Sequence, residues 1–163
     1  MKINYRKDID GLRAIAILPV FIYHAFPNLI PGGFVGVDIF FVISGYLISL
    51  AIFDGIDNNN FSFKDFYARR TRRIFPALIL MLTAVYAAGY YILLPNEFTR
   101  LGKNIAAAAT FTLNFLLQYD VGYFDASGDR NPILNLWSLC IEEQFYLLFP
   151  PLFIVASKFG LNR

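Results

Sequence analysis

The chain holds a single cysteine, Cys140, and a single histidine, His24. One thiol permits no internal disulfide and no cysteine-based metal cluster, so Cys140 reads as a small apolar packing residue. Charge is sparse as well: Asp, Glu, Lys and Arg make up 16% of the 163 residues and sum to +2. A balance that small gives no electrostatic footprint for nucleic acid. What fills the sequence instead is apolar. Hydrophobic residues reach 57% and aromatic residues 18%, with a mean hydropathy of +0.51. They come in long blocks rather than in short amphipathic stretches, which predicts an all-α, polytopic transmembrane helical protein.

Five spans are expected, near 12–26, 34–53, 74–94, 101–117 and 136–156. Pro19 should kink the first, with Asp10 as its cap and a partner for Arg13. The segment 54–73 is polar and reads as a connection, which would place Pro76 in the first turn of the third span. The fourth is alanine-rich and short, open to tilting or to a re-entrant path. A second polar connection, 118–135, holds Asp120, Asp125, Asp129 and Arg130. The turn after the first apolar run leads straight into a second span without a small-residue cleavage pattern, so a cleavable signal peptide is not expected. Basic residues in the leader and at 69–73 flank the first hairpin, which predicts a cytoplasmic N-terminus.

His24 follows Arg13 by eleven residues. Eleven helical steps of about 100° return to within roughly 20° of the starting direction, so both side chains share a face, about 16 Å apart. Ionisable groups are costly in a bilayer, and an aligned basic pair is a functional-site hypothesis. The plain alternative is that each only marks a membrane boundary. Asp38, across the short turn, is expected at similar depth to His24, where it could fix the imidazole tautomer for general-base chemistry. Its plain alternative is satisfaction by backbone amides at a helix start.

The run Arg69-Arg70-Thr71-Arg72-Arg73 suits phosphates through guanidinium forks. Anchoring the span or binding lipid headgroups is the competing reading. Glu142 and Glu143 lie inside an apolar helix and point about 100° apart. They need a cationic partner, either Arg13 or the arginine run.

In chain order, four stretches resemble the membrane acyltransferases of family three, which O-acetylate lipopolysaccharide, peptidoglycan and related glycans. They are Asp10-Gly11-Leu12-Arg13 leading to His24; Gly32-Gly33-Phe34-Val35-Gly36-Val37-Asp38; Phe66-Tyr67-Ala68-Arg69-Arg70-Thr71-Arg72-Arg73; and Leu136-Trp137-Ser138-Leu139-Cys140-Ile141-Glu142-Glu143-Gln144. The resemblance implies a domain of about ten helices, of which about five are here at bilayer-spanning length. The chain then reads as the N-terminal part of such a domain.

The resemblance further implies a bacterial inner-membrane enzyme without a metal. It would take an acyl group from cytoplasmic acyl-CoA, usually acetyl-CoA, to a hydroxyl of an envelope glycan (lipopolysaccharide, peptidoglycan or exopolysaccharide). On that pattern the family's arginine–histidine motif falls on Arg13 and His24, its arginine pair on the run 69–73, and its acidic motif on Glu142 and Glu143. His24 would be the general base, with Asp38 orienting it, or would itself carry the acyl group. Two other classes stay open from sequence: a transporter or flippase component, and an inactive membrane scaffold.

Overall fold

Apolar runs of bilayer length fold as helices because every backbone polar group must be satisfied within its own segment when water is absent. The computed structural model describes residues 6–58, 60–119 and 131–158. Among them there is no strand. Three helical stretches are long and apolar enough to cross a membrane: Gly33–Asp57, Phe63–Ile92 and Leu136–Ala156. Large apolar side chains project outward along them, among them Val42 at 73% exposure and Leu80 at 74%. In water such surfaces would be a liability; against lipid tails they are the solvent-facing side. This is a helical membrane protein. Most of the polar connection 118–135 lies outside the described residues.

The chain divides into two units, Met1–Ser62 and Phe63–Arg163. In the first, α1 (Lys7–Ala25) is followed by a 3-10 turn, Gly33–Val35, and by α2 (Gly36–Asp57). The helix α1 starts at Lys7, so Asp10 sits in its first turn beside Asp8 rather than capping it. The N-terminal end of a helix accepts both carboxylates. The turn after α1 closes through Leu29 N–H to the Phe26 carbonyl (2.9 Å) and Gly33 N–H to the Ile30 carbonyl (3.0 Å).

Two glycines let the helices touch. A Cβ on Gly36 would fall inside the van der Waals surface of the Ala16 carbonyl oxygen, and one on Gly33 inside that of the Pro19 carbonyl oxygen. Small residues at such crossings give membrane helices their close backbone approach. Ala16, Ile48 and Ile52 are completely buried in this unit.

The second unit contains α3 (Phe63–Ile92), α4 (Pro95–Ala109), α5 (Leu113–Tyr119) and α6 (Leu136–Lys158). The arginine run is not in a connection: it lies on α3, which begins at Phe63, and Pro76 is inside that helix rather than at its start. Polarity misleads here, because Lys, Arg and Ala are good helix formers. The 30 residues of α3 extend about 45 Å, well beyond a hydrocarbon core of about 30 Å. The charged first turns therefore extend past its apolar part.

The expected fourth span is not one helix. It breaks at 110–112, where Phe111 takes a left-handed φ of 55°. Thr110 Oγ1 donates to the carbonyls of Ala106 and Ala107 at 3.1 Å each, and Thr112 N–H to the carbonyl of Ala107 at 2.8 Å. Hydroxyls bonding back to carbonyls compete with helix continuation. Leu78, Leu82, Leu101, Leu113 and Cys140 pack in the core of this unit, and Cys140 is a free thiol.

From α6, Gln144 Nε2 donates to the Phe111 carbonyl (2.6 Å) and to Asn114 Oδ1 (2.9 Å), while Asn114 Nδ2 donates back to Gln144 Oε1 (3.3 Å). Gln144→Leu would leave the Phe111 carbonyl and the Asn114 amide without these partners, and is expected to destabilise the protein by about 1–3 kcal/mol. Thermal unfolding in detergent measures this, and an unchanged midpoint would contradict the role given to the amide pair.

Candidate active site

All nine residues singled out from the sequence fall within the described segments. In the first unit, His24 occupies the last turn of α1 and is exposed. Its Nδ1 lies 2.8 Å from the Val20 carbonyl oxygen. A carbonyl can only accept, so Nδ1 is the donor in this contact, which in a neutral imidazole puts the lone pair on Nε2. The Tyr23 ring meets the imidazole edge-on at 5.5 Å and meets Phe34 at 5.8 Å. Tyr23 Cβ also lies where a side chain on Gly33 would fall, 2.7 Å away. The close helix crossing and the imidazole's neighbour are thus one contact.

Asp38 lies in the first turn of α2, exposed. No hydrogen bond or ion pair joins it to His24 among the described residues; the tautomer is set by the Val20 carbonyl instead. A backbone acceptor one helical turn back belongs to the histidine's own helix, whereas Asp38 would have to be aimed from another helix. Arg13 is half-buried, with its guanidinium carbon 5.7 Å from the centre of the Phe40 ring and its Nε buried without a hydrogen-bond partner. Among the described residues, no ion pair joins it to its expected partner Asp10. The carboxylate engaged near the start of α1 is Asp8, which accepts from Arg6 Nε at 3.2 Å; its bonding to Arg6 holds its pKa below the usual carboxylate range.

In the second unit the arginine run divides by direction. Arg69, Arg72 and Arg73 are exposed, while Arg70 is half-buried. The Arg70 guanidinium carbon lies 4.4 Å from the centre of the Tyr146 ring and 5.9 Å from that of Phe66, both within cation–π range. Tyr146 is 4% exposed, and its hydroxyl donates to Glu142 Oε1. Glu143 keeps one buried oxygen without a hydrogen-bond partner. Arg70 of the arginine run thus lies against the ring whose hydroxyl bonds Glu142, and among the described residues no direct ion pair joins it to Glu142 or Glu143.

Tyr67, one turn before Arg70, donates its hydroxyl to the Leu147 carbonyl at 2.9 Å. Tyr146, Tyr67 and Gln144 were not singled out from sequence. The spacing of four between Glu142 and Tyr146 was the one available signal, since residues so placed meet on a helix. Among the described residues, no group of three or more His, Cys, Asp or Glu could hold a metal ion.

The family model described as an acyltransferase domain matches residues 6–162. The chain belongs to that acyltransferase family. It is 40% identical over 162 residues to the peptidoglycan O-acetyltransferase OatA of Listeria monocytogenes, a match covering 98% of this chain and 26% of that protein. It is also 40% identical over 163 residues to YrhL of Bacillus subtilis (strain 168), provisionally named a peptidoglycan O-acetyltransferase; that match covers 98% of this chain and 25% of YrhL. A Haemophilus influenzae protein of no assigned function is 47% identical over 121 residues, which is 74% of this chain and 49% of that protein. The acyltransferase chain therefore spans about a quarter of OatA and YrhL. No solved structure matches it.

Proposed function

We propose that this acyltransferase segment belongs to an enzyme that moves an acyl group, acetyl by the relatives' names, from acyl-CoA to a hydroxyl of peptidoglycan. The enzyme works at the bacterial inner membrane, with the basic N-terminal leader and the arginine run facing the cytoplasm. The observation that carries the reading is the contact of His24 Nδ1 with the Val20 carbonyl, which directs Nε2, the lone-pair nitrogen of a neutral ring, away from the backbone, within a family match that covers nearly the whole chain.

His24 takes the proton of the attacking glycan hydroxyl on Nε2 and later returns it to the departing sulfur. Its Nδ1–H bond to the Val20 carbonyl keeps the ring aimed through both transfers, so Asp38 is not needed to hold the tautomer. Acyl-CoA, when bound, supplies the acyl group as a thioester. The exposed guanidinium groups of Arg69, Arg72 and Arg73 have the chemistry to hold its phosphates. Arg70 is committed to Tyr146 and the two glutamates, and its part is to keep those carboxylates compensated.

Replacing Arg69, Arg72 and Arg73 by Gln in the full-length protein should raise the KM for acetyl-CoA by roughly tenfold for each charge-assisted bond lost, at about 1.5 kcal/mol per bond. The KM for the acceptor should stay unchanged; an unaltered donor KM would remove these residues from donor binding. For the reaction itself, cells expressing the full-length protein should carry more base-labile acetate on peptidoglycan than cells without it. Acetate gained only on lipopolysaccharide or exopolysaccharide would reassign the acceptor, and no gain on any glycan would overturn the reading.

A further inference from the structure

Pro150 and Pro151 lie inside α6. Proline has no N–H, so each leaves the carbonyl four residues earlier without its helical donor; these are the carbonyls of Tyr146 and Leu147. In a membrane-spanning helix a freed carbonyl has no water to turn to and must find a partner on a neighbouring helix or side chain. The Leu147 carbonyl has found one in the Tyr67 hydroxyl, at 2.9 Å.

This contact stands next to another. Tyr67 and Arg70 are three residues apart on α3 and share a face, while Leu147 and Tyr146 are consecutive on α6. The Tyr67–Leu147 bond and the Arg70–Tyr146 stack are therefore two neighbouring ties between the same pair of helices. Together they set the rotation of α3 about its axis. In that rotation Arg70 is turned inward and Arg69, Arg72 and Arg73 are left exposed.

We infer that the carbonyl freed by Pro151 is a built receptor for Tyr67, which makes Tyr67 a positioning residue for the arginine face of α3. The link to catalysis rests on the reading above that this face takes the donor's phosphates; the latch itself does not. An α6 without Pro151 would satisfy the Leu147 carbonyl internally, and the hydroxyl would lose its particular value.

The test is a rescue. In the full-length protein in detergent, Tyr67→Phe should lower the melting temperature, because the carbonyl is left without a donor. Adding Pro151→Ala, which restores the N–H, should cancel most of that loss. If Tyr67→Phe costs as much in a protein already carrying Pro151→Ala as it does in the wild type, the latch is overturned.

The second readout is kinetic. Tyr67→Phe should raise the KM for acetyl-CoA by about three- to tenfold, the scale of one hydrogen bond, and leave the acceptor KM unchanged. The double variant should keep the raised donor KM even though its stability has recovered, which a purely structural role for Tyr67 would not produce. A donor KM unmoved by Tyr67→Phe but raised by the Arg69, Arg72 and Arg73 substitutions overturns the positioning role. If those arginine substitutions also leave it unmoved, the donor reading has failed, and the melting cycle still decides the latch.

Discussion

Replacing His24 with glutamine in the full-length protein should lower acyl transfer by about 10²–10⁴-fold, the usual contribution of a positioned general base. Glutamine keeps an amide of similar reach but offers no nitrogen that can take a proton. Because His24 is exposed at the end of α1, the change should leave membrane insertion and melting temperature near wild type. The loss should appear in kcat for the acceptor reaction, with the acetyl-CoA KM little altered, since nothing in the first unit is assigned to the donor's phosphates. Asp38→Asn should be much milder, because the imidazole tautomer is held by the Val20 carbonyl. An equal loss from both substitutions would show that the carboxylate works with the ring during turnover.

Gly36→Ala is expected to be the most disruptive single methyl in the chain. Its Cβ would collide with the Ala16 carbonyl oxygen and sit 2.7 Å from Val20 Cγ2. A backbone oxygen cannot rotate away as a side chain does, so α1 and α2 must separate. Val20 is the residue whose carbonyl anchors His24, so the separation strikes the imidazole's own support. Overpacking of this kind costs about 1–3 kcal/mol or more, and activity should fall with stability. Gly45→Ala is the matched control: a Cβ there meets nothing within 4 Å, and the variant should stay within about 0.5 kcal/mol of wild type or gain slightly from helix propensity. Melting temperatures of the two variants, measured side by side in detergent, check the contrast. A Gly36→Ala protein as stable as Gly45→Ala would contradict the close crossing.

Helices α2 and α6 were legible in the sequence because each is an apolar run of bilayer length, and both start within two residues of where the hydropathy begins. The start of α3 was not. Lys64, Asp65 and the arginines read as a polar connection, although their intrinsic preference is largely helical; hydropathy marks the membrane boundary, not the helix boundary. The break at Phe111 was hidden for the opposite reason, because the alanine-rich run around it looks continuous until the threonine hydroxyls are seen bonding backward.

For the site, the cost of charge in an apolar helix was enough to ask for a cation near Glu142 and Glu143. It could not show which of four arginines turns inward, since the Arg70–Tyr146 contact joins residues far apart in the chain. Nor could it show that a backbone carbonyl, rather than Asp38, holds the imidazole. Spacing along one helix can be read from sequence; which side chains of different helices meet cannot.

The central claim is that Nε2 of His24 takes the acceptor's proton during acyl transfer from CoA. It is tested most directly by incubating membranes bearing the full-length protein, wild type or His24→Gln, with acetyl-CoA labelled in the acetyl group, and counting base-labile label on peptidoglycan. The account predicts ester label from the wild type and almost none from His24→Gln at equal protein levels. Equal labelling by the two proteins would contradict it.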